Sequence, residues 1–214
     1  MSIGIIGAGA LGSNVARLLA RSGIAATIAN RRGPSSLAGL VKELGPSIEA
    51  GPTEDAAKAD IVVVAVRWAD LQTALGGLPY WNGRIVIDAT NPVAFLASDS
   101  PDRKDPNNPL AAYGLKTIDL GGKLSTRLVS GFVPGARVVK AFNHLPVNLL
   151  PEPAVSGGKR VLFYCGDDVG AKAEVRKVLD RTGTFLIDLG TLDVGAPLMS
   201  MPFGPLAGIS LINE

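Results

Sequence analysis

The feature that most constrains this chain lies at its start. A short apolar run at 3–6 is ended by Gly7, and apolar positions Leu11, Val15, Leu18 and Leu19 then recur at helical spacing until Gly23. Strand, glycine turn and helix follow one another directly. The turn reads Gly7-Ala8-Gly9-Ala10-Leu11-Gly12, a GxGxxG pattern. With Gly at 26 of 214 positions, such a pattern arises by accident roughly 0.3 to 0.4 times in a chain of this length, so its weight rests on its placement. Between a first strand and a first helix each glycine has a separate job. Gly7 makes the tight turn, Gly9 lets backbone approach a pyrophosphate, and Gly12 permits close packing of helix on strand. A Gly-rich turn without a ligand is the alternative.

The rest of the chain repeats the alternation. A strand at 25–29 and a helix at 37–44, ended by Gly45-Pro46, lead to a short strand near Ile48 and a small helix opened by Thr53. Residues 61–66 form a continuous apolar run of the kind required by a strand covered on both faces. A helix at 70–75, a buried strand at 84–89, a helix at 125–131 and a strand at 136–141 follow. Parallel crossovers are short and right-handed, so this βαβα order predicts an α/β fold, a Rossmann-type doubly wound parallel sheet with helices on both faces. Residues 1–144 form the dinucleotide-binding domain. Residues 145–214 read as strand 160–165, helix 169–181, strand 185–189 and a Gly/Pro-rich tail, a short βαβ extension packed on the same sheet as a pocket wall or dimer contact. The stretch 98–109 has no periodicity and is crowded with turn residues, so it is a loop: a mobile lid over the carboxyl edge of the sheet or a solvated insertion.

Composition narrows the partners. Apolar residues make up 47% and charged ones 19%, which suits a globular chain with a sizeable core. A net charge of +2 without a basic block leaves no electrostatic footprint for nucleic acid or anionic lipid. One cysteine, Cys165, and one histidine, His144, form no cluster spaced for zinc, so no metal site is expected. The N-terminus lacks the charged and apolar regions of a secretory signal, and no apolar run approaches the roughly 18 residues needed to cross a bilayer. A cytoplasmic location without membrane contact is expected.

The residue ending the second strand selects the cofactor. An acid about 20 residues past the glycines accepts the ribose hydroxyls of NAD. Here that place holds Asn30, followed by Arg31 and Arg32. A carboxylate would repel a 2′-phosphate, whereas Asn and two guanidinium groups hydrogen-bond it and balance its charge, so the expected cofactor is NADP(H). The other reading makes both arginines solvated turn residues. Val66-Arg67 and Asn91-Pro92 leave the fourth and fifth strands at the same crevice and should line the nicotinamide half. Asn91 would bond ribose or carboxamide there, or else Asn-Pro is an ordinary turn starter.

Several stretches together resemble the NADPH-dependent reductases of the deazaflavin coenzyme F-420, whose fold the cytosolic domain of the six-transmembrane metalloreductases shares. They are Gly7 to Gly12 with Asn30-Arg31-Arg32, then Val138-Val139-Lys140-Ala141-Phe142-Asn143, then Tyr164-Cys165-Gly166-Asp167-Asp168. Asp188-Leu189-Gly190 and Gly204-Pro205-Leu206 in the tail look similar as well. The resemblance implies NADP(H) held by Gly9, Ala10, Leu11, Gly12, Asn30, Arg31 and Arg32, with Ala141 and Asn143 near the nicotinamide, a flat acceptor stacked there, and a homodimer.

The remaining chemistry-bearing residues have plain readings. There is no GxSxG, His144 is either an acid or a polar residue capping a strand end, and Cys165 lies in an apolar strand as an inert thiol. Asp167 and Asp168 cap the helix that follows. The expectation is an NADP(H)-dependent oxidoreductase passing hydride to a small-molecule acceptor, a deazaflavin or flavin, with no dedicated catalytic side chain. The alternative is a redox-sensing module that binds NADP(H) without turnover.

Overall fold

A computed structural model of the chain describes residues 1–152 and 157–213. The elements run β1 (Ile3–Ile6), α1 (Ala10–Arg21), β2 (Ala26–Ala29), α2 (Ala38–Leu44), β3 (Ile48–Ala50), α3 (Thr53–Ala56), β4 (Ile61–Val64), α4 (Leu71–Leu75) and β5 (Ile85–Asp88). They continue with β6 (Val93–Phe95), β7 (Leu115–Thr117), α5 (Ser125–Phe132), β8 (Arg137–Ala141), β9 (Lys159–Gly166), α6 (Val169–Asp180), β10 (Phe185–Asp188), α7 (Leu192–Met199) and β11 (Ile212–Asn213).

Among the described residues a nine-stranded sheet has the order β10-β9-β8-β5-β4-β1-β2-β3, with β11 beside β9. From β3 to β8 every pairing is parallel; Ile5 lies opposite Ile28 and Val63, and Ile87 opposite Val63 and Val139. Because side chains alternate along a strand, each central strand feeds two cores. Ile3, Ile5, Ile61, Val63, Ile85, Ile87 and Val139 pack with Val15 and Leu19 of α1 and Val175 and Leu179 of α6. Ile6, Val62, Val64, Val86 and Val138 pack on the other face with Leu71 and Leu75 of α4, Val129 of α5 and Ala196 of α7. Each Val, Ile or Leu so buried contributes about 1.5 to 3 kcal/mol, so continuous apolar strands cannot remain uncovered on either face. This is the α/β, Rossmann-like architecture expected from the sequence.

Three details depart from that reading. β9 runs antiparallel to β8, with Lys140 opposite Cys165, so the sheet is only mostly parallel. A parallel return needs a crossover, usually a helix. The chain after β8 has no helical periodicity and carries Pro146 and Pro151, so it doubles back, and β9, α6 and β10 then form their own parallel unit. Second, the Gly/Pro-rich tail holds a helix, α7, despite Pro197 within it. Gly195 lets that helix approach β9 so closely that a Cβ there would run into the Cys165 side chain. Third, the 98–109 loop is bracketed by the antiparallel pair β6 and β7. Its own side chains tie it down: Arg103 donates to the Leu96 and Ala97 carbonyls at 3.1 and 2.8 Å, and Lys116 meets Asp102 at 2.9 Å.

Candidate functional site

The strand order reverses at β1, whose neighbours are β2 on one side and β4 on the other. Ligands of open α/β sheets bind in the crevice above such a point, at the carboxyl ends of the strands. The turns after β1, β2, β4, β5 and β8 all end there.

The glycine turn is built as its sequence requires. Gly7 has φ of +106° and donates its N–H to the Ala29 carbonyl at 2.9 Å, and a Cβ on it would run into the Ala65 carbonyl. A Cβ on Gly12 would run into the carbonyl of Gly7, so only glycine lets α1 start this close to β1. Gly9 differs from both: nothing lies within 4 Å of the place its Cβ would take. The protein itself therefore gives no reason for glycine there, and the open space is what a pyrophosphate pressed against backbone needs.

Gly9 is the N-cap of α1, without a capping side chain and without an acid in the first turn. The first intrahelical bond runs from Ser13 N–H to the Gly9 carbonyl at 2.9 Å, so the N–H groups of Ala10, Leu11 and Gly12 precede the ladder. These groups and the helix dipole make a site for an anion.

At the end of β2, Asn30 folds into an Asx turn: its Oδ1 accepts the Arg32 N–H at 2.8 Å, and its Nδ2 donates to Ser36 Oγ at 3.0 Å. Arg31 and Arg32 are exposed, and neither guanidinium has a hydrogen-bond or ion-pair partner among the described residues. By contrast, Arg17, Arg127 and Arg137 are each engaged with carboxylates. After β4, Val66 is half-buried and Arg67 exposed, its guanidinium 4.9 Å over the ring of Phe95.

The residues expected beside the nicotinamide are mostly enclosed. Ala141 is buried as the last residue of β8, and Pro92 is buried behind the turn after β5. Asn143 is also buried, and it is locked to Asn91. Asn91 Nδ2 donates to the Asn143 carbonyl at 2.8 Å, and Asn143 Nδ2 donates to Asn91 Oδ1 at 3.1 Å and to the Met199 carbonyl at 2.9 Å. The Met201 N–H reaches Asn91 Oδ1 at 3.0 Å, so the tail covers this pair. Phe142, at φ of +67°, takes the left-handed turn that directs the chain from β8 into this clamp.

His144 is buried, its ring edge-on to Phe163 at 4.9 Å, with Nε2 accepting the Phe163 N–H at 3.4 Å. Burial pushes its pKa down to about 4, so the imidazole is neutral near pH 7 and serves the core. Burial likewise pushes the Cys165 thiol up to about 12. Asp168 caps α6 by accepting the Ala171 N–H at 2.6 Å, as its position suggests. Asp167 does not share that helix: it accepts the N–H of Leu192, at the start of α7, and bonds Arg127 at 2.6 Å.

Sequence reasoning missed a buried ion pair, Lys140 with Asp88, at the ends of β8 and β5. The signal was present, since a lysine and an aspartate within otherwise apolar central strands must find each other.

Taken together, the sheet reversal, the open glycine turn and the exposed arginines make a Rossmann-like fold with a candidate dinucleotide site. The chain matches, over residues 2–92, the family model described as NADP oxidoreductase coenzyme F420-dependent. It is 37% identical to a hypothetical protein of Sinorhizobium meliloti, with a TM-score of 0.86, over 100% of this chain and 97% of that one. A candidate F420-dependent NADP reductase of Arthrobacter sp. FB24 is 27% identical over 90% of this chain and 86% of its own, with a TM-score of 0.71. The metalloreductase STEAP3 of Rattus norvegicus is 24% identical over 94% of this chain, which spans only 36% of that protein. No helix among the described residues is long and apolar enough to cross a membrane.

Proposed function

We propose that the protein transfers a hydride from NADPH to a flat, conjugated small-molecule acceptor, a deazaflavin or flavin, as a cytoplasmic homodimer. The observation that carries the reading is the pairing of an open cradle at Gly9 with two arginines at the end of β2 that are exposed and unengaged among the described residues. Ala10, Leu11 and Gly12 would hold the pyrophosphate by backbone N–H groups, and Arg31 and Arg32 the 2′-phosphate, with Asn30 fixing the turn that carries them. Val66 and Arg67 would flank the nicotinamide half, above the Asn91–Asn143 clamp.

When bound, the nicotinamide supplies one hydride, and the acceptor completes its reduction with a proton from water. His144 is neutral and enclosed, and Cys165 is a buried thiol, so neither serves as acid or base. Direct transfer between stacked rings needs no such group, only a separation of about 3 to 3.5 Å and exclusion of water. The family description, with its coenzyme F420, favours a deazaflavin or flavin over a carbonyl substrate. The test follows the near-ultraviolet absorbance of NADPH with deazaflavin, FMN, FAD and simple carbonyl compounds added in turn. Oxidation with a flavin-type acceptor supports the proposal. Oxidation only with carbonyls, or NADPH binding with no turnover on any acceptor, overturns it, the latter in favour of a sensor.

A further inference from the structure

The buried ion pair at the ends of β5 and β8 invites a reason other than stability. Lys140 Nζ lies 3.0 Å from Asp88 Oδ2, and both side chains are 0% exposed. Removing two charges from water costs several kcal/mol per ion, and well-packed apolar residues of the same size usually stabilise a fold as well or better. The neighbouring positions on the central strands are aliphatic, so an apolar pair was structurally open to this chain.

Its connections supply the reason. Lys140 Nζ also donates to the Thr90 carbonyl at 2.9 Å, while Asp88 Oδ1 accepts both the Thr90 N–H at 2.9 Å and its hydroxyl at 2.7 Å. Thr90 is thus held by its N–H, its carbonyl and its side chain at once. The next residue is Asn91, which locks Asn143 and Met201. One continuous network joins the ends of β5 and β8 to the tail after α7. Among its side-chain polar atoms, Asn143 Oδ1 alone is left without a partner among the described residues.

We propose that Lys140 and Asp88 are positioning residues for the nicotinamide half of the site: through Thr90 they set Asn91, which holds Asn143 in one orientation with its Oδ1 kept for a donor. This rests on reading the cleft as an NADP(H) site. An apolar pair would fill the same volume but leave the 89–92 turn free to shift, and displacements of about 1 Å are costly where a ring must be aligned.

The test compares wild type with the double variant Asp88→Leu, Lys140→Met and with Thr90→Val, which keeps the ion pair and loses one hydroxyl. Two probes separate the halves of the site: adenosine 2′,5′-bisphosphate, which lacks nicotinamide, and NADPH. In both variants the bisphosphate should bind within about twofold of wild type. NADPH should weaken roughly three- to tenfold, and the change in nicotinamide fluorescence on binding should shrink, more in the double variant than in Thr90→Val. Unchanged NADPH affinity and fluorescence in a folded double variant overturns the inference. Should that variant fail to fold, Thr90→Val decides by the same two readouts. Failure of wild type to bind either probe would instead remove the cofactor reading, and this inference with it.

Discussion

His144 offers an unusually clean test of the structure, because the chain has no other histidine. Its ring is 1% exposed, and burial lowers its pKa from 6.5 to about 4. The unfolded chain therefore binds a proton that the folded chain refuses between those two values. Stability from this group is complete above the unfolded pKa, falls as pH drops below 6.5, and is fully lost below about 4. A shift of this size corresponds to roughly 3 kcal/mol at the limit, and about 2 kcal/mol is already lost by pH 5. The assay is urea unfolding of wild type and His144→Gln between about pH 7.5 and 5. Carboxylates affect both proteins alike, so the difference between them isolates the imidazole. The stability advantage of wild type over the variant should shrink by about 2 kcal/mol across that range. Parallel pH profiles, or a folded-state imidazole that titrates near 6.5 by NMR, would refute the buried, neutral assignment and reopen a proton-transfer role for this residue.

The glycine turn should separate fold from function. Gly9→Val should fold with near-wild-type stability yet lose NADPH binding by calorimetry, since its side chain would occupy only the open cradle. Gly12→Val should instead lower thermal stability markedly, because its side chain meets the Gly7 carbonyl. Cys165, the single cysteine, should resist iodoacetamide in the native protein at mild pH and react fully in denaturant; rapid native labelling would contradict its burial.

Much of the fold was legible because the central strands are continuous apolar runs and the helices between them keep one apolar face. Those patterns depend only on local burial. The glycine roles were legible for the same reason: Gly7 and Gly12 are set by contacts within the first βα unit. The antiparallel entry of β9 was not, since strand direction after Asn143 depends on whether the chain crosses over or doubles back. α7 was hidden by Pro197 and Gly195, which read as tail residues until the packing of Gly195 on Cys165 is seen. At the site, the missing acid at Asn30 points to Arg31 and Arg32, and the structure shows both exposed. The Asn91–Asn143 clamp was not, because it joins positions 52 residues apart and is closed by Met199 and Met201 from a third segment. Lys140 and Asp88 each carried a warning, a charge in a buried strand, but only the register of β5 against β8 shows that they meet.

Selection of NADPH over NADH should rest on Arg31 and Arg32, placed to meet a 2′-phosphate at the end of β2. Each charge-assisted bond contributes about 1.5 to 3 kcal/mol, and about 1.4 kcal/mol is tenfold in affinity, so the two together should favour NADPH over NADH by at least about a hundredfold. Calorimetric titration of both cofactors into wild type and the Arg31→Ala, Arg32→Ala double variant measures this directly. A preference of that size is expected in wild type, nearly erased in the variant, with NADH affinity little changed. Equal affinities in wild type, or a preference that survives loss of both arginines, would contradict it.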